Sequence, residues 1–226
     1  MRVFDYEGDA RRAMDVVLDG GIAVIPTTVG YVILAATTEA INRIIAVKRR
    51  APAKLNAMIG CTAMHAALHV LPGRNREIVR TITQGYDLPM GTVAPAALDH
   101  PMLRKVDAGV LERTTLDGTV AMLLNAGALM DTMAQLSFEA GAPVIGSSAN
   151  LSLHGTKFRV ADIEPEIIAA ADLVIDYGLM RWANYARSST MINVHDFTVV
   201  RHGSCYDLIA DVLQRHYGIT LPPPQS

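Results

Sequence analysis

The sequence predicts an α/β fold, with helices packed on a sheet. Short apolar runs alternate with stretches of helical periodicity along the 226 residues, the pattern left by strands and helices that cover one another. Half the residues are hydrophobic but only 5% are aromatic, which suits Ala, Val, Ile, Leu and Met packed between helix and sheet better than an aromatic-rich sandwich. Two strand-like runs, 190–194 and 197–201, turn at His195-Asp196 and read as a hairpin, so an all-parallel sheet is not expected.

Residues 9–19 place Ala13, Val16 and Val17 at helical spacing, and Gly20-Gly21 stand where a C-cap belongs. The run 22–26 reads as a buried strand stopped by Pro26, followed by a strand from Tyr31 to Ala35. Thr38 is expected to cap a helix with Ile41, Ile44 and Ile45 on one stripe. Lys48 extends that stripe, so its stem is expected on the buried side with the ammonium emerging at the helix C-terminus. A strand at 56–60, a helix from Thr62 to Val70 and a helical stretch at 75–84 come next. Residues 85–118 have weak periodicity and define no element. Beyond them come a strand at 119–124, a helix at 129–140, a strand at 143–146, a helix at 162–171 and the apolar run 173–176. The last helix carries Ile209, Val212, Leu213 and His216 on one face. No repeat, low-complexity segment or linker divides the chain. One domain over 1–226 is expected, with a motif-bearing core at 20–204 and a C-terminal helix and tail at 205–226.

The formal charge of −2 gives no global attraction to nucleic acid or anionic membrane. Cys61 and Cys205, far apart and outside any CxxC, indicate neither a disulfide framework nor a zinc knuckle, and read as buried thiols in a reducing compartment. Met1 to Gly8 lacks an apolar stretch and is not expected to be a signal peptide, and no run is long enough to span a bilayer. A cytoplasmic location is the expectation.

Four segments stand out. Arg43, Lys48, Arg49, Arg50 and Lys54 form a run of positive charge with no acidic residue between them; such a run is either a solvated helix end or an anion site. SSANLS (147–152) follows an apolar strand, where an α/β sheet binds ligands and where hydroxyls, an amide and backbone N–H groups suit phosphate or ribose. PTT (26–28) with Gly30 and Tyr31 sits at another strand end. SST (188–190) opens a strand whose partner ends in Arg201 and Gly203. Each reads equally as an ordinary turn or cap. No P-loop, no GxGxxG in strand–turn–helix context, no HExxH and no GxSxG frame is present. His65 and His69, at i and i+4, lack a third metal ligand, and His69 is expected at the surface or boundary.

The order of these pieces carries more information than any one of them. Pro26-Thr27-Thr28-Val29-Gly30-Tyr31, Lys48-Arg49-Arg50 with Lys54, Ser148-Ala149-Asn150, Ser189-Thr190 and Arg201-His202-Gly203 resemble the YrdC/Sua5/YciO family from about Gly20 to Ser204. LVIDYG (173–178) is similar to that family's apolar stretch ending in Asp-x-Gly. The resemblance implies a YrdC-like twisted mixed sheet with helices packed on it and a concave ligand cavity. It also implies ATP-dependent synthesis of L-threonylcarbamoyladenylate from threonine, bicarbonate and ATP, with Mg²⁺ and release of pyrophosphate, for t⁶A modification of tRNA with partner proteins. By motif, Lys48, Arg50 and Lys54 would bind phosphate and carbamate oxygens as the catalytic set. Ser148, Asn150, Ser189, Thr190 and Arg201 would hold ATP or AMP, and Thr27 and Tyr31 would contact the amino acid or carbamoyl end.

The sequence also departs from that pattern. Thr28 stands at an acidic position, Lys54-Leu55-Asn56 replaces Lys-Pro-Leu, and the loop after Asn150 is lengthened to SANLSLHG. VAMLLN (120–125) stands where the family's strand ends in Arg-x-Pro. Losing one charge-assisted contact is worth roughly 1.5–3 kcal/mol, about tenfold or more in affinity. A related enzyme handling a carbamoyl or other acyl adenylate with a different acceptor, or a non-catalytic nucleotide- or RNA-binding module, therefore stays open as an alternative.

Overall fold

The computed structural model describes residues 4–49, 56–112 and 114–224. Helix α1 (Tyr6–Leu18) starts at Asp5, whose carboxylate accepts from Gly8 N at 2.9 Å, and buries Ala10, Ala13, Met14 and Val17. Its end is a Schellman closure. Gly21 N donates to Val16 O and Gly20 N to Val17 O, with Gly20 at φ +84° as the two glycines imply.

Strands β1 (Ala23–Thr27) and β2 (Gly30–Ala35) form an antiparallel hairpin closed by Thr27 opposite Gly30. Pro26 does not stop β1. It lies opposite Tyr31 within the ladder, past the point where β8 (Leu173–Val174) pairs along the other side of β1, so its missing N–H breaks no pairing there. Helix α2 (Thr38–Val47) is capped by Thr37 rather than Thr38, and Lys48 is its C-cap. Then come β3 (Ala57–Gly60), α3 (Thr62–Leu68) and α4 (Gly73–Arg80), the last continued by one π turn to Gly85.

The segment that defined no element contains β4 (Met90–Pro95), α5 (Pro101–Arg104), α6 (Ala108–Glu112) and the short β5 (Thr115–Leu116). Strand β6 (Thr119–Leu124) leads to α7 (Ala128–Ala140) and β7 (Ile145–Ser148), so Ser147 and Ser148 belong to the strand rather than to the loop after it. The expected helix at 162–171 contracts to α8 (Pro165–Ala169). The hairpin β9 (Met191–Asn193) and β10 (Val199–Arg201) is antiparallel, and α9 (Tyr206–Tyr217) buries Ile209, Val212 and Leu213 while His216 is exposed.

The sheet runs β10-β9-β4-β6-β3-β7-β2-β1-β8, with β5 added beside β6. It is mixed: β1/β8, β3/β6 and β4/β9 are parallel and the other pairs antiparallel. Helices α1 and α7 cover one side of the β1–β2–β3 region, and the larger core packs α2, α3, α4, α8 and α9 on the sheet. The sheet is strongly curled. Thr28, in the β1–β2 turn, donates from its N–H to Ala126 O at 2.7 Å, although β2, β7 and β3 separate β1 from β6. Twist accumulated across those strands carries the hairpin turn back over the end of β6. Among the described residues no helix is long and apolar enough to cross a membrane.

Candidate functional site

The apolar stripe of α2 carries the Lys48 stem into the protein, as its spacing implies, but the ammonium does not emerge. Lys48 is 1% exposed, and its Nζ donates to Ser148 O and Asn150 O, each at 2.5 Å. Ser152 N donates back to Lys48 O at 3.1 Å. Side chain and backbone thus stitch the end of α2 to the loop after β7 with charge-assisted bonds that fix the loop's course. Inside that loop Asn150 is buried and its amide donates to Leu151 O, while Asn150 Oδ1 and Ser152 Oγ, together with Ser147 Oγ at the end of β7, have no partner among the described residues. Buried polar atoms are nearly always satisfied in folded proteins, so such a cluster marks where a ligand or water belongs.

A second layer supports the loop. Glu164 accepts from Leu151 N at 3.2 Å and lies 2.8 Å from the Lys157 ammonium and 3.0 Å from His154 Nδ1. Burial alone would raise its pKa, but Lys157 and backbone N–H donors outweigh that and hold the carboxyl at about 2. The added residues of SANLSLHG are therefore anchored through Glu164.

The β1–β2 turn lies alongside. Thr27 Oγ donates to Gly30 O at 2.6 Å and accepts from Val29 N, so its hydroxyl closes the turn. Tyr31 is fully buried. Its hydroxyl donates toward Asp176 Oδ1 at 2.8 Å and Gly178 O at 3.0 Å and accepts from Tyr177 N, and burial followed by Asp176 raises its pKa. A Cβ on Gly30 would meet Thr156 Cγ2 at 2.4 Å and Lys157 O at 3.0 Å, which is why the loop from β7 can cross the turn so closely. Thr28 Oγ and Trp182 Nε1 are buried without a partner among the described residues, on segments joined by Trp182 N donating to Thr28 O.

The third group lies at the β9–β10 edge. The Arg201 guanidinium clamps Ser189 through its carbonyl (2.9 and 3.1 Å) and its Oγ (3.1 Å). Thr190 Oγ donates to Ser204 O and accepts from Gly203 N. A Cβ at Gly203 would lie 2.2 Å from Ser188 O, so only glycine lets the two backbones approach.

The structure thus brings Lys48, Ser148 and Asn150 together with the hairpin that holds Thr27 and Tyr31, and it unites Ser189, Thr190 and Arg201 separately. Arg50 and Lys54 lie outside the described residues. One feature of the site was not legible in the sequence, the Glu164 anchor, because Glu164 sits in no spacing that announces its role; the unpartnered Thr28 hydroxyl lies in the PTT segment singled out by its place at a strand end.

A family model covering Sua5, YciO and YrdC proteins, described as "Telomere recombination", matches residues 15–203. The chain belongs to the Sua5/YciO/YrdC family. Solved structures of Sua5/YciO/YrdC type share its fold. Pyrococcus abyssi Sua5 complexed with L-threonine superposes with a TM-score of 0.74 at 18% identity, over 99% of this chain and 61% of that one. A hypothetical protein from Streptococcus mutans gives 0.73 at 20%, over 93% of each chain. HypF in its phosphate- and nucleotide-bound form gives 0.63 at 13%, over 88% of this chain and 29% of that one. This Sua5/YciO/YrdC chain therefore spans about three fifths of the Sua5 protein and under a third of HypF. No curated protein matches it in sequence.

Proposed function

We propose that the protein synthesises an acyl adenylate of the L-threonylcarbamoyl-AMP kind from threonine, bicarbonate and ATP. The observation that carries this reading is the meeting of Lys48 with Ser148 and Asn150, motif pieces 100 and 102 residues apart in sequence. The threonine-bound Sua5 and the nucleotide-bound HypF, with the same fold, support an amino acid and a nucleotide as ligands.

In the reaction, the threonine amine adds to bicarbonate and loses water to give a carbamate. A carbamate oxygen then attacks the α-phosphorus of ATP, the bond from that phosphorus to the bridging oxygen breaks, and pyrophosphate leaves. Phosphoryl chemistry of this type needs alignment and neutralisation of spread negative charge rather than a protein nucleophile. Lys48 contributes fixed positive charge and holds the 148–150 loop in place. Ser148, Asn150, Ser189, Thr190 and Arg201 position the nucleotide, and Arg50 and Lys54 are assigned to phosphate and carbamate oxygens by motif alone. Thr27 and Tyr31 shape the acceptor end through the hairpin.

Among the described residues no group of three or more His, Cys, Asp or Glu side chains is placed to hold a metal. Mg²⁺ is assigned to the substrate, as MgATP, because the ion keeps several waters and binds largely through substrate phosphates. The product is passed to partner proteins that load it onto tRNA.

A second reading rests on a specific observation. The Thr27 and Tyr31 hydroxyls are spent on internal bonds, and β6 carries Leu123 and Leu124 with no arginine. Hydroxyls already bonded within the protein are less available to an acceptor, and the missing arginine falls where the family's strand ends in Arg-x-Pro, which together favour a related carbamoyl or acyl adenylate with another acceptor. Incubation with ATP, Mg²⁺ and bicarbonate, with and without threonine, separates the readings. Threonine-dependent pyrophosphate and threonylcarbamoyl-AMP by mass spectrometry, lost in Lys48→Ala, are expected. Absence of turnover in a protein that still binds ATP by calorimetry overturns the synthase reading.

A further inference from the structure

We propose that a second site, between α3, α4 and the C-terminal end of β6, binds a small ligand through an ammonium group. A cavity of about 490 Å³ lies there, lined by none of the residues assigned to the nucleotide or the acceptor, although Leu124 and Asn125 of the 120–125 run border it, and that volume is in the range of small-molecule sites. His65 and Asp131 supply its wall with acceptor atoms that are buried and unpartnered among the described residues, and Arg80 and Glu77 are exposed at its rim.

The proton positions at its floor follow from a chain of bonds. His69 Nε2 faces Val120 O at 3.1 Å; a carbonyl only accepts, so Nε2 of His69 carries the proton. His69 is 1% exposed and burial lowers its pKa to about 3, so the ring is neutral and its Nδ1 is a bare acceptor. His65 Nδ1 lies 2.8 Å from that nitrogen and must donate to it. Burial, and then the charge of Arg76, lowers His65 to about 4, so it too carries one proton. Its Nε2 is left as a lone pair, 95% of the residue being buried, with no partner among the described residues.

Asp131, from the first turn of α7, adds a second acceptor, because its Oδ1 is also buried and unpartnered. Burial raises its pKa to about 6, so it is mostly ionised at neutral pH at the cost of desolvation. Two buried acceptors, one of them anionic, call for a group rich in donors and positive in charge. An ammonium, with three N–H donors and no acceptor, meets that demand; an anion meets neither. A metal ion is disfavoured because no group of three or more His, Cys, Asp or Glu side chains among the described residues is placed to hold one. The Arg76 guanidinium is committed to the carbonyls of Ala66, Leu71 and His69, which fixes α4 as a wall rather than as a ligand arm.

Cys61 lines the same cavity and is half-buried, whereas Cys205 is fully buried with its thiol pushed up to about 12. Alkylation of Cys61 therefore reports on occupancy. The test titrates the intact protein with n-butylammonium, 1-butanol and butyrate at pH 7.5, following iodoacetamide labelling of Cys61 and the His65 ring resonances by NMR. Butylammonium alone is expected to slow labelling saturably and to move the His65 signals. Asp131→Asn is expected to weaken its binding about tenfold or more, the loss of one charged contact. Equal protection by butyrate or butanol, or no protection by butylammonium in the wild-type protein, overturns the proposal whatever the outcome of the synthase assay.

Discussion

Tyr31 and Asp176, 145 residues apart, are joined by a part-buried hydroxyl-to-carboxylate bond of 2.8 Å that ties the β1–β2 hairpin to the segment after β8. The same hydroxyl accepts from Tyr177 N at 3.2 Å and reaches Gly178 O at 3.0 Å. One oxygen thus serves three partners. Tyr31→Phe keeps the ring and deletes all three. Denaturant unfolding is expected to show a loss of roughly 1–3 kcal/mol, the range for leaving a buried polar group unsatisfied. An unchanged midpoint would mean the segment 176–178 finds other partners.

Lys48 offers a separation of charge from volume. Lys48→Met retains the buried stem but strips two carbonyls of their donor. Nucleotide affinity is expected to fall at least tenfold by calorimetry, with a stability loss of about 1.5–3 kcal/mol. Full ATP affinity in a folded Lys48→Met protein would remove this lysine from the site.

Gly203→Ala tests the β9–β10 edge. Its Cβ would stand 2.2 Å from Ser188 O and 2.4 Å from Ser189 C and Thr190 N, all backbone atoms that cannot rotate away. The strand must shift, at a cost of about 1–3 kcal/mol, and the Arg201–Ser189 clamp should loosen with it. The expected signature is a lower melting temperature together with weaker nucleotide binding.

The paired histidines make stability depend on pH. Folded, they take up a second ring proton only near pH 4 (His65) and 3 (His69), against an ordinary value of 6.5. Below 6.5 the unfolded chain binds more protons, so stability falls as pH falls, by about 1.4 kcal/mol per unit for each histidine until its folded value is reached. Asp131 acts oppositely: raised to about 6, it favours the fold increasingly as pH drops from 6 toward its ordinary 3.8. Between pH 6 and 4 the net slope is therefore close to that of one histidine. Urea unfolding at pH 7, 6, 5 and 4.5 is expected to show this fall, and Asp131→Asn is expected to steepen it.

Much of the frame was legible because it is local. The Gly20-Gly21 closure, the β1 and β2 runs and the buried Lys48 stem follow from spacing within a few residues. What could not be read depends on distant partners. Strand β4 contains Gly91 and Pro95, poor strand formers, and exists because β6 and β9 pair with it on either side. His69 appears polar in sequence but is buried, because His65 and the carbonyl of Val120, 51 residues away, take up its two nitrogens. The Lys48 ammonium turns inward for the same reason: its carbonyl acceptors lie 100 and 102 residues downstream, beyond what local spacing can indicate. In the site, motif order identified the segments but not the bonds that commit the Thr27 and Tyr31 hydroxyls.

The curl that lays Thr28 against Ala126 also orders events on the ribosome. The hairpin turn emerges early, but its partners at Ala126 and Trp182 and the Asp172 carboxylate that accepts from Ile22 N come up to 154 residues later. At roughly 5–20 residues per second, that is a wait of about 8–30 s. Throughout it the outer edge of β1 has no β8 beside it. A nascent chain of this kind is exposed to intermolecular strand pairing for most of its synthesis, and a chaperone that shields residues 22–35 should raise its soluble yield more than one acting after release.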